Sequence, residues 1–144
     1  MKALTPLILL GATLATATAA NPSYESLRQE IRQSIARGNA WLKTQQKPEG
    51  NWDDGELPAF TALALNAIVR DPNLDSSAKF PEPIEKGYAW LLSQQKEDGG
   101  IYNRGLSVYN TATAVTALMA ANRKSYEPAV VKARKPSSTL AHPH

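Results

Sequence analysis

Three carboxylates, Asp53, Asp54 and Glu56, follow Trp52 within four residues. Acids this close together can act as a general acid or hold a metal ion. The same residues just ahead of a helix are also what a helix dipole favours in a solvated turn, and that is the reading adopted for them. His142 and His144 are the only histidines and sit at the end of the chain, and there is no cysteine. A nucleophilic Cys/His or Ser/His pair therefore has no base within the body of the chain, and no disulfide or thiolate metal site is available. The third group is Tyr109, Asn110 and Thr111, which open an apolar segment. A phenol and an amide there can bind the polar group of a ligand; alternatively, Asn110 caps the helix it begins. The assignment is thus no catalytic residue, no metal site and no cofactor, with Tyr109, Asn110 and Thr111 as candidate ligand-binding residues.

These residues are positioned by a duplicated phrase. Residues 37–52 read RGNAWLKTQQKPEGNW and residues 86–102 read KGYAWLLSQQKEDGGIY. Gly38, Trp41, Leu42, Gln46 and Gly50 recur 49 residues later as Gly87, Trp90, Leu91, Gln95 and Gly99. Each phrase is followed by a segment of small apolar residues, and Thr61, Ala62, Ala64 and Ala67 match Thr111, Ala112, Ala114 and Ala117. A period of this size marks a repeated pair of helices. The first helix of the pair is amphipathic, with Leu27, Ile31, Ile35, Gly38 and Leu42 three or four apart, and belongs on the outside. The second, apolar all round over residues 59–69 and 111–121, belongs inside. Pro58 and Pro83 suit first-turn positions, and Asp71-Pro72-Asn73 and Asn122 suit stops. A third outer helix begins at Pro128, but Pro136 stands where the earlier copies have Trp41 and Trp90, which ends it after two turns.

In the first copy, Arg37, Gly38, Trp41, Gln46, Gly50 and Trp52 resemble the QW motif of the terpenoid cyclase and protein prenyltransferase family. The second copy keeps Lys86, Gly87, Trp90, Gln95 and Gly99, but Ile101 replaces the last tryptophan. The resemblance implies an all-α fold, an α/α toroid of helical pairs, here incomplete at about two pairs plus a partial third. It also implies that the motif is structural: glutamine bonds backbone groups of the next element, glycine permits the tight turn, and tryptophan packs across the junction, so that an outer helix is fastened to the next inner one. The family's cyclases carry an acidic DxDD set just before the Thr-Ala that opens an inner helix. The residues before Thr61 are Leu57, Pro58, Ala59 and Phe60, those before Thr111 are Ser107, Val108, Tyr109 and Asn110, and none is acidic. The prenyltransferase branch would need a zinc site with a cysteine ligand, which this chain lacks.

Composition supports a folded helical chain: 42% hydrophobic and 20% charged residues is too apolar for a disordered one. A net charge of +3 with both signs interspersed points to a solvated surface and away from nucleic acid. Residues 1–20 read as a signal peptide, with Lys2, an apolar run and small residues before a cleavage site near Ala19 or Ala20. That run is shorter than the ~20 residues that span a bilayer, so no membrane span remains after cleavage. Residues 21–135 form the repeat region, and residues 136–144 a disordered tail. Two helical pairs bury only their mutual face, so apolar surface should stay open beside residues 111–121. The expected protein is an exported, non-catalytic scaffold, secreted or periplasmic, for a hydrophobic small molecule or a protein partner, with oligomers allowed. The alternative is the amino-terminal fragment of a terpene cyclase-like enzyme acting on a polyprenyl or other hydrophobic substrate.

Overall fold

A computed structural model describes residues 22–75 and 77–135. The expected signal peptide and polar tail, with Pro136, His142 and His144, lie outside those residues. The described chain is all-helical: α1 (Pro22–Thr44), α2 (Pro58–Val69), α3 (Glu82–Ser93), α4 (Ser107–Ala120) and α5 (Glu127–Arg134), the last preceded by a single 3₁₀ turn (Lys124–Tyr126).

Local chemistry sets these bounds. Pro58 is the first residue of α2 and Pro83 lies in the first turn of α3, where a missing N–H costs no helical bond. Past the end of α4, Asn122 takes the left-handed conformation with φ 50°, a common way to stop a helix. Asp71 turns the chain after α2: its Oδ1 accepts from the backbone N of Asn73 at 2.9 Å.

The central contact is α2 against α4, with α3 and α5 packed on their flanks and α1 more loosely on α2. Ala62, Ala114 and Ala117 are fully buried, and such small side chains let two helix axes approach closely. Leu65, Ile84, Tyr88, Leu91, Ile101 and Leu118 fill the space between these helices. The Tyr88 hydroxyl donates to the Ala117 carbonyl at 3.0 Å, so α3 is tied to the last turn of α4. Its ring lies between Phe80 and Tyr126, with centroids 6.0 and 5.1 Å away. Arg123 stacks on Phe80 at 4.1 Å and donates to the Ala78 carbonyl.

Two expectations about the rows need correction. The apolar stripe of α1 is not all core: Leu27 and Ile31 are about half exposed, whereas Asn39 is buried and donates to Asp71, and Leu42 packs against the core. The second helix of each pair, expected to be contacted on most sides, keeps open apolar positions. On α2, Phe60 and Leu63 are open, and on α4, Val108, Tyr109 and Met119. The openness beside residues 111–121 is the one expected from an array of two pairs. Among the described residues, no helix is long and apolar enough to cross a membrane.

Candidate functional site: the helix junctions and an aromatic groove

The duplicated phrase makes the same bonds twice. Gln46 Nε2 donates to the Gly50 carbonyl at 2.9 Å and to the Pro83 carbonyl at 2.8 Å. Gln95 Nε2 donates to Gly99 and to Ala129, both at 2.9 Å. Each glutamine therefore clamps its own turn and reaches the first turn of the next outer helix, α3 or α5. This corrects the expected direction, which ran from an outer helix to the next inner one. A glutamine amide approaching these turns finds carbonyl acceptors there, and its NH₂ supplies two donors. The link to the inner helix is made by the threonines: Thr61 Oγ1 accepts from Trp52 N at 3.2 Å, and Thr111 Oγ1 from Ile101 N at 3.0 Å.

Gly50 and Gly99 are required by space as well as by φ. Both have positive φ, 106° and 91°, and a Cβ on Gly50 would lie 2.7 Å from the Lys86 carbonyl oxygen. A Cβ on Gly99 would collide with the Lys132 carbonyl in the same way. Gly87 faces that junction from the α3 side, against Trp52 and Leu65, whereas Gly38 faces open space. The Arg37 guanidinium donates to Ser34 Oγ of its own helix at 3.1 Å. The two tryptophans of the first copy have different roles. Trp52 is half-buried and donates from Nε1 to the Leu42 carbonyl at 2.7 Å, whereas Trp41 is 62% exposed and does not pack across the junction. In the second copy, Ile101 is fully buried in place of Trp52, and Trp90 packs against the core.

The candidate ligand residues at the start of α4 are largely engaged within the fold. Asn110 is fully buried; its Oδ1 accepts from Ala59 N at 3.0 Å, and its Nδ2 donates to the Gly105 and Leu106 carbonyls, both at 3.1 Å. Asn110 thus caps α2 and not its own helix, because it already lies inside the first turn of α4, beside the unpaired N–H groups of the neighbouring helix start. It also holds Leu106 in the left-handed conformation, φ 46°, where a leucine is strained. Thr111 is used by Ile101 N, as above, and Tyr109 is exposed.

The carboxylates do not converge. Asp53 Oδ1 accepts from Gly55 N at 2.9 Å and Asp54 Oδ1 from Glu56 N at 3.1 Å, while Glu56 pairs with Arg104 at 2.7 Å. Asn103 donates to the Gly55 carbonyl at 2.7 Å, so the two turns that precede the inner helices are bonded to each other. No group of three metal-ligating side chains occurs among the described residues.

Ligand binding through Trp41 or Trp90 was open from the sequence as the alternative to a purely structural motif, but the groove itself was not. It measures about 470 Å³ between the end of α1 and α2, walled by Trp41, Trp52, Phe60 and Leu63, with Gln45 and Asp53 at its polar edge, and without Trp90. A signal for it exists: at the offset of 50, Phe60 and Leu63 stand opposite Asn110 and Thr113. Large apolar side chains in α2 thus take the positions that α4 fills with polar ones. Compared with family models, curated proteins and solved structures, the chain matches none.

Proposed function

We propose that this protein is an exported, non-catalytic scaffold built as an incomplete α/α toroid, and that it binds a hydrophobic small molecule in the groove between α1 and α2. The observation that carries the reading is Trp41. A tryptophan 62% exposed beside an open Phe60 and a half-buried Trp52 forms a concave aromatic wall, the kind of surface that buries a small apolar ligand. The toroid part of the reading rests on the duplicated junction, which joins outer helix to outer helix by the same glutamine bonds in both copies. The scaffold part is supported by the use of Asn110, Thr111 and Glu56 in backbone bonds and an ion pair, which leaves no set of acids aimed at one point. Export rests on the pattern of residues 1–20, and amino-terminal sequencing of the protein from its native host tests it.

The binding test is a fluorescence titration with uncharged amphiphiles. Two of the chain's three tryptophans line the groove, so a bound apolar ligand should change their emission, and Trp41→Ala should weaken binding about tenfold. No change in emission with any apolar ligand would refute the reading.

A further inference from the structure

The groove carries one ionisable side chain. Its walls are Trp41, Trp52, Phe60 and Leu63, and Asp53 stands at the edge. The Asp53 carboxylate makes one bond within its own turn, Oδ1 accepting from Gly55 N at 2.9 Å, while the Asp53 backbone carbonyl accepts from Asn51 Nδ2 at 2.7 Å. A carboxylate has acceptor sites for more than one donor, so Asp53 can take a further cationic partner without losing that bond. The aromatic rings of the wall favour the same sign of charge wherever they present a face, because the ring quadrupole is negative there. Neither wall nor edge offers a positive charge to an anion.

We propose, on the reading that this groove is the ligand site, that its ligand is a hydrophobic organic cation: an apolar body against Phe60 and Leu63, with an ammonium group between the indole rings and the Asp53 carboxylate. The net charge of the chain is +3, so its overall field favours anions. A preference for cations must therefore arise locally, and this makes the proposal sharp.

The test titrates the full chain, at low salt and below micellar concentrations, with three probes of one tail length: dodecyltrimethylammonium, dodecyl sulfate and dodecyl maltoside. Tryptophan emission is the readout. The cation should bind about fivefold more tightly than the neutral probe, and the anion more weakly. Asp53→Asn keeps the oxygen that accepts from Gly55 N, and it should remove the preference while sparing affinity for the maltoside. Asp54→Asn makes the same change of charge one residue away, off the groove, and should leave the preference intact. Equal binding of cationic and neutral probes, or an equal effect of the two substitutions, would overturn the cation assignment and leave the apolar groove standing. Absence of binding by all three probes would overturn both.

Discussion

Gly38 and Gly87 occupy the same place in the two copies of the phrase, yet their surroundings differ. A Cβ on Gly87 would lie 2.9 Å from Leu65 Cδ2 and 3.0 Å from the Trp52 ring, whereas one on Gly38 would meet nothing within 4 Å. Alanine is worth ~1 kcal/mol more than glycine inside a helix. Gly38→Ala should therefore stabilise the fold by about 0.5–1 kcal/mol. At Gly87 the same gain is opposed by overpacking, which costs ~1–3 kcal/mol, so Gly87→Ala should destabilise it. Urea denaturation of the two variants should give midpoints that move in opposite directions; a shift of the same sign in both would contradict the junction geometry. The recurrence of Gly38 as Gly87 was legible in the repeat. That only one copy has a neighbour to approach was not, because the residue type is the same whether the space is full or empty.

At the scale of elements, Tyr88 joins α3 to α4. Burial pushes its phenol well above the ordinary tyrosine range, and the hydroxyl donates to the Ala117 carbonyl. The Tyr126 phenol is raised as well, by burial first and then by Glu85. For an acid whose folded value lies above its unfolded one, the stabilisation is complete below the unfolded value, near 10, and is lost as pH rises towards the folded value. The fold should thus hold its tyrosine-linked stability at neutral pH and lose it progressively above about pH 10. Tyr88→Phe should flatten that alkaline loss, at a cost of ~1 kcal/mol at neutral pH for the lost hydrogen bond, since the Ala117 carbonyl keeps its bond from Ala121 N at 3.1 Å. Circular dichroism melts between pH 8 and 11 would show it, and an unchanged alkaline slope in the variant would count against the buried tie. The helices themselves were readable from Pro58, Pro83, Asn122 and the apolar spacing. The direction of the glutamine ties was not readable, because Gln46 and Gln95 name a donor without naming the carbonyl it reaches. The stripe of α1 misled for a related reason: period 3.6 at Leu27 and Ile31 marks an apolar face, and it says nothing of whether a partner covers it.

At the scale of the whole molecule, α3 and α4 end differently. Gln95 and Gly99 hold α5 as Gln46 and Gly50 hold α3. Among the described residues, no helix covers the face of α4 equivalent to the one that α4 covers on α2. Pro58, Ala59, Ala62 and Val69 of α2 are buried, yet their counterparts at the offset of 50, Val108, Tyr109, Ala112 and Met119 of α4, are exposed. In the opposite sense, Asn110 and Ala117 are buried while Phe60 and Ala67 are exposed. The two open faces therefore differ, and a contact that sets one against the other would be head to tail. A further copy docked in that register would bring its own α1 to the place α5 occupies, so α5 opposes such growth. The outcome expected is a monomer at micromolar concentration that still presents an apolar face on α4. An environment-sensitive hydrophobic dye should bind it, and the pair Val108→Lys with Met119→Lys should cut that fluorescence by at least about half while leaving helicity unchanged. Loss of helicity in the pair would mean that these side chains are packed, and strong dye binding unaffected by it would place the apolar surface at the Trp41 and Phe60 groove alone.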